Sequence, residues 1–325
     1  MTLVEARRVT AAGIARAAQG INPIFLNTPV VRHDDLDIWL GARVSCKVES
    51  LGPLRSFKGR GGDWFMKQRE SRGAVVAASA GNFGQALALA ARDAKVECTI
   101  FASVSASPLK LSRMRALGAT VIQQGDDFDA AKDAARDFAR AHDIEFVEDG
   151  SALAITEGAG SIAVELANAV SLDTLLVPLG NGALLAGVAT WMKAVSPTTR
   201  IIGVVAEGAP SMMKALTGIQ VDHTTPVQTI ADGIAVRVPV PEAVDDLRSL
   251  ADDLVAVSED AITAAMRGLI AHVGLIVEPA GAVGIAAMLT AAHGTYGDRV
   301  GTILCGGNVT TEQLSEWGVL RAAVG

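Results

Sequence analysis

The chain has 325 residues and carries 28 basic against 35 acidic side chains, a net charge of −7. That length suggests about two domains, and the acidic balance argues against a nucleic-acid or anionic-membrane surface, which needs a basic footprint. Half the residues are hydrophobic and the mean hydropathy is +0.35, yet charges or glycines break every apolar run before the ~18 residues of a membrane helix accumulate.

Taken in chain order, the N-terminal stretch carries Glu5 and Arg16 where a signal peptide would have its apolar centre. A cytoplasmic location is therefore expected. From there, short β-branched runs alternate with Ala/Leu-rich amphipathic stretches, the pattern of βαβ units around a parallel sheet. Strands are predicted at 44–49, 74–78, 96–101, 120–123, 175–177, 201–206, 254–257 and 301–304. Helices are predicted at 56–71, 82–93, 108–117, 127–142, 156–170, 182–195, 259–273 and 279–292, with Ser107 as an N-cap and Pro108 as a first helical residue. The stretch 220–241, with three prolines and little periodicity, reads as a long loop. The units between about 72 and 147 form one compact block, and those after residue 150 form a larger one. A two-domain α/β chain with a cleft between its halves follows.

Cys46, Cys98 and Cys305 are scattered and form no C-x-x-C pair, and the five histidines form no metal-ligand cluster. Neither a disulfide framework nor a zinc site is expected. Four other sites fall where a strand gives way to a helix, where ligands of open α/β sheets gather. The first is Ser56-Phe57-Lys58-Gly59-Arg60-Gly61-Gly62, whose lysine is either a solvated surface residue or an amine that forms a Schiff base with a carbonyl cofactor. The second is Ser79-Ala80-Gly81-Asn82-Phe83-Gly84-Gln85, either an ordinary strand–helix turn or small residues that let a ligand approach the backbone at a helix N-terminus. The third, Gly180-Asn181-Gly182-Ala183 and on to Gly187, suits a phosphate held by main-chain N–H groups. It also approaches a dinucleotide fingerprint with Glu207 as the ribose-binding acid, but its spacing is G-x-G-x-x-x-x-G. The fourth is Cys305-Gly306-Gly307-Asn308, whose cysteine is either buried and inert or a hydrogen-bond donor to a heteroaromatic nitrogen.

These four sites, in this order, resemble the fold-type II pyridoxal-phosphate enzymes, most closely the threonine/serine dehydratase and serine racemase branch. The resemblance also takes in Thr28-Pro29-Val30, Lys47-Val48-Glu49, Gly158-Ala159-Gly160-Ser161, Ile230-Ala231-Asp232-Gly233 and Glu278-Pro279-Ala280-Gly281. It implies two open, mainly parallel α/β sheets with helices on both faces and an active site between two domains. Residues 1–71 plus 148–325 would form the large cofactor-binding domain, and 72–147 a smaller, mobile substrate-binding domain. The cofactor would be pyridoxal 5'-phosphate, the catalytic residue Lys58, and the assembly a homodimer. By the same resemblance Gly180, Asn181, Gly182 and Ala183 hold the phosphate, Asn82 faces the ring hydroxyl, and Cys305 lies opposite the pyridine nitrogen. Ser79, Ala80, Gly81, Asn82 and Phe83 would receive the substrate. Such an enzyme removes the Cα proton of a β-hydroxy amino acid, expels the β-hydroxyl, and yields a 2-oxo acid and ammonia.

Departures from the family pattern narrow the reading. Racemases of the branch have a serine where this chain has Ala80, which cannot move a proton, so racemisation is disfavoured. Phe83 replaces a frequent histidine and makes that wall apolar, which points to a bulkier or less usual substrate than plain threonine or serine. Glu207 matches one ligand of a divalent cation site, but Met213 replaces a second, so no tight Mg²⁺ or Ca²⁺ site is expected. Only 17 residues follow Asn308, too few for the regulatory domain of biosynthetic relatives. The alternatives are a β-replacement or threonine-synthase-like enzyme on this scaffold, and a non-catalytic or nucleotide-binding α/β protein.

Overall fold

A computed structural model describes residues 7–320; Glu5, part of the argument against a signal peptide, lies outside them. The chain opens with α1 (Ala11–Gly20), β1 (Val30–Val31), α2 (Asp34–Leu40), β2 (Arg43–Val48) and α3 (Lys58–Gln68). Next come β3 (Val75–Ala78), α4 (Asn82–Ala94), β4 (Cys98–Ala102), α5 (Pro108–Ala116), β5 (Thr120–Gln123), α6 (Phe128–His142) and β6 (Glu145–Phe146). The remainder is α7 (Leu153–Ala169), β7 (Thr174–Pro178), α8 (Ala183–Val195), β8 (Arg200–Ala206), α9 (Ser211–Leu216) and α10 (Pro241–Leu247). It closes with β9 (Asp253–Val257), α11 (Glu259–Val273), α12 (Pro279–Thr290), β10 (Arg299–Leu304) and α13 (Thr311–Glu316).

The strands form two sheets. One has the order β1-β2-β10-β7-β8-β9, parallel except for the antiparallel edge strand β1; the other is β5-β4-β3-β6, parallel throughout. Burial follows from position. The inner strands β3 and β7 are buried along their whole length, as continuous apolar runs must be when helices cover both faces, whereas the edge strand β5 is only partly covered. The helix α12 is apolar nearly all round and is buried to match. No described helix is long and apolar enough to cross a membrane.

Every predicted strand and helix is present, with ends moved by at most a few residues. Apart from the ten-residue α1, the elements not predicted, including β1, β6, α2, α9, α10 and α13, are two to seven residues long, too short for a period to register. Ser107 sits at the N-cap of α5, but its side chain makes no capping bond, so Pro108 at the first turn is the start signal there. The stretch 220–241 is irregular apart from one 3-10 turn (Asp232–Ile234), and its last proline opens α10.

Glycines set how closely the helices pack. A Cβ on Gly187 of α8 would stand 2.3 Å from the Thr156 carbonyl oxygen and 2.6 Å from the Gly160 nitrogen, both on α7. One on Gly158 of α7 would lie 2.6 Å from the Gly61 Cα of α3. Gly187 is therefore a helix-packing glycine, and Glu207 at the end of β8 is exposed.

Candidate active site

Lys58 is the first residue of α3, and its position is laced to a segment nearly 250 residues away. Ser56 pairs with Gly306 in an antiparallel bridge, the Phe57 N–H donates to the Cys305 carbonyl at 3.1 Å, and the Gly307 N–H donates to the Arg55 carbonyl at 2.9 Å. The lysine turn and the loop after β10 thus form one wall.

Two residues further on, Arg60 is 1% exposed. Its guanidinium meets Glu49 Oε2 at 2.8 Å, Glu165 Oε1 at 2.6 Å, Ser161 Oγ at 3.1 Å and Thr28 Oγ1 at 3.1 Å, while Lys47 meets Glu165 Oε2 at 2.5 Å. Thr28, Lys47, Glu49 and Ser161 all belong to stretches that carry the family resemblance. They converge on Arg60 and anchor α3 from beneath, outside the cavity lining. Burial first, then Glu49 and Glu165, acts on Lys47, and burial prevails to lower its pKa. Removing one member of so buried a group leaves a charge without its partner, at a cost of about 3–5 kcal/mol.

The cavity lies between the two sheets, with a volume of about 350 Å³. It brings together Lys58, the turn Ser79, Ala80, Gly81, Asn82 and Phe83, the loop Gly180, Asn181, Gly182 and Ala183, and Cys305. That volume is within the ordinary range for small-molecule sites. Gly182 adopts φ +96° at the N-cap of α8, which has no side-chain cap, so the first-turn N–H groups are left for a ligand. Gly180 has no room for a side chain larger than hydrogen without movement, since a Cβ would lie 3.1 Å from the Gly233 oxygen and the Ile234 Cα.

On the opposite side Ser79 Oγ accepts from the Gly81 and Gly84 N–H groups at 3.2 and 2.9 Å, which shapes the turn and leaves its own hydrogen to donate. Phe83 is buried, packing among Phe65 and Leu87 while also edging the cavity. Asn82 is oriented from behind. Its Nδ2 donates to Glu278 Oε1 at 2.9 Å, and its Oδ1 accepts from Asn308 Nδ2 at 2.8 Å. The Asn308 N–H donates in turn to Glu278 Oε2 at 3.1 Å. Burial, reinforced by the nearby Asp232 charge, holds the Glu278 carboxyl above the usual carboxylate range. Burial, and then the Glu278 charge, pushes the Cys305 thiol up as well, so it stays protonated and able to donate.

These residues fit a phosphorylated aldehyde with a basic aromatic nitrogen: an amine, an anion cradle at a helix N-terminus and a neutral thiol donor share one cavity. The family profile described as pyridoxal-phosphate-dependent enzyme matches residues 21–306. The chain belongs to that family. An L-threonine ammonia-lyase of Thermotoga maritima is 31% identical over 94% of this chain and 77% of its own length. Among solved structures, a pyridoxal 5'-phosphate-dependent aspartate racemase superposes with a TM-score of 0.88 at 28% identity, covering 96% of this chain and 99% of its own. A threonine deaminase of Solanum lycopersicum superposes with a TM-score of 0.86 at 27% identity, covering 97% and 90%. Family membership makes pyridoxal 5'-phosphate the cofactor and the protein an enzyme.

Glu278 and Asn308 lie in stretches that carry the family resemblance, but their roles appear only in the fold. Asp149, whose side chain meets Lys58, lies outside every such stretch. The local signal at Asp149 is weak: an acid pair, Glu148-Asp149, directly before Gly150 and after a strand of only two residues.

Proposed function

We propose that the protein is a pyridoxal-phosphate-dependent ammonia-lyase that converts a β-hydroxy amino acid of the threonine/serine type to a 2-oxo acid and ammonia. The observation that supports it is the convergence of the Lys58 amine, the glycine loop ahead of α8 and the Ser79–Phe83 turn on one cavity. When bound, pyridoxal 5'-phosphate supplies an aldehyde that condenses with amines and a conjugated ring that takes up the electron pair released at Cα. The residues of the chain do the remaining work. Main-chain N–H groups of Gly180, Asn181, Gly182 and Ala183 bind the phosphate, and the Cys305 thiol donates to the ring nitrogen. A thiol leaves that nitrogen unprotonated, so the ring is a milder electron sink than a carboxylate partner would make it, which favours prompt loss of a β-substituent.

Asn82, braced by Glu278 and Asn308, would meet the ring hydroxyl. The Ser79 hydroxyl and the turn after it orient the substrate carboxylate, and Phe83 keeps that wall apolar. Lys58 Nζ takes the Cα proton. Ala80, which lines the cavity, has no proton to give, which favours elimination over racemisation. Residues 72–147 serve as the substrate-binding domain, and a cytoplasmic homodimer is part of the same reading. The test is ammonia release from a panel of β-hydroxy amino acids without an added nucleophile. The parent releases ammonia from at least one of them and Lys58→Ala from none; turnover that requires an added nucleophile would instead favour β-replacement.

A further inference from the structure

Lys58 Nζ donates to Asp149 Oδ2 at 2.5 Å, a contact that none of the family-resembling stretches contains. Asp149 is 8% exposed and lines the cavity, and its Oδ1 is buried with no partner among the described residues. Its backbone is held from both sides. The Val147 N–H continues the sheet past β6 by donating to the Val76 carbonyl at 2.7 Å. Gly150 adopts φ +93°, where a Cβ would stand 2.5 Å from the Asn181 carbonyl oxygen. The carboxylate is thereby fixed between the lysine and the loop ahead of α8.

An ammonium has no lone pair, so a lysine held in this ion pair cannot bond to an aldehyde until its proton moves. We propose that Asp149 is the proton relay for loading the cofactor: it takes the Lys58 proton, frees the amine to bond the aldehyde carbon, and returns that proton to the departing aldehyde oxygen. The inference rests on the reading of Lys58 as the cofactor lysine. The proton passes from Nζ to the Asp149 carboxylate, and the nitrogen lone pair forms the C–N bond. The C–O bond breaks with its electrons on oxygen. Water leaves with two of the three ammonium hydrogens, one of them relayed by Asp149, and the third stays on nitrogen beside the regenerated carboxylate. Charge is conserved and nothing is oxidised or reduced. Oδ1 has no hydrogen-bond partner among the described residues, so Lys58 is the one group among them that the carboxylate meets.

The experiment follows loading of cofactor-free protein by stopped flow, through the absorbance band at roughly 410–420 nm that lysine-bound pyridoxal phosphate gives. In Asp149→Asn the loading rate at pH 7 falls about 10²-fold, the lower end of general acid–base contributions. It then climbs with pH as hydroxide replaces the missing carboxylate, while Asp149→Glu recovers part of the rate. Binding of pyridoxine 5'-phosphate, the alcohol without an aldehyde to condense, is unchanged in both variants. In Asp149→Ala, added formate restores loading in proportion to its concentration. Loading of Asp149→Asn within threefold of the parent overturns the proposal. So does loss of pyridoxine 5'-phosphate binding together with loading, which would make the pair a structural contact. A parent that loads normally confines either failure to this inference; a parent that gains no band removes the reading of Lys58 along with it.

Discussion

Glu278 bears on the site only through its neighbours. It is buried, it receives hydrogen bonds from Asn82 and from the Asn308 backbone, and burial together with Asp232 raises its carboxyl above the usual range. A carboxyl raised on folding binds its proton more tightly in the folded state. Its contribution to stability is thus complete below the unfolded value of ~4.3 and is lost as pH rises through the folded value. Glu278→Gln, which cannot ionise, should therefore gain on the parent as pH rises from 4 to 7, whatever the absolute cost of the exchange. Urea unfolding at a series of pH values checks this; a stability difference that stays flat or moves the other way contradicts it. The matching residue-scale prediction for chemistry is the loss of ammonia release in Lys58→Ala.

At the scale of elements, the glycines of α3, α7 and α8 bring three helices close enough for Lys58 to share a cavity with the glycine loop ahead of α8. Gly187→Ala forces a methyl against the Thr156 carbonyl and the Gly160 backbone, neither of which is a flexible side-chain end. It should destabilise the protein by about 1–3 kcal/mol, the usual penalty of overpacking, read as a lower urea midpoint; an unchanged midpoint would show that the helices are free to separate.

The same elements explain what sequence could convey. Long helices such as α4 and α11 and the buried strands announce themselves through period and composition. The motif residues Lys58, Asn82 and Cys305 were legible because each lies at a strand-to-helix junction. What escaped is set by tertiary contact. Nothing local to Thr28, Lys47 or Glu49 reveals that they gather around Arg60, and nothing local to Glu278 reveals that it braces Asn82 from 196 positions away. Asp149 follows a strand of two residues, too short to mark its own junction.

Across the whole molecule, charged pairs join the two sheets' segments at the cavity mouth. Lys110 of α5 meets Asp232, and Arg237 meets Asp127 at 2.8 Å and Asp129 at 2.6 Å at the start of α6. If residues 72–147 close over the substrate as a unit, these pairs favour the closed form. They are partly exposed, so each is worth no more than about 1 kcal/mol. Arg237→Ala should raise KM roughly two- to fivefold with little change in kcat, and salt should raise the parent's KM in the same direction. A fall in kcat with KM unchanged would place Arg237 in the chemistry instead.

All of this depends on the amine at position 58 being the one that bonds the cofactor. Borohydride reduction of the loaded protein followed by peptide mapping tests that directly. The account predicts a single labelled peptide containing Lys58 and none in Lys58→Ala; a label on another lysine, or none on folded and loaded protein, contradicts it.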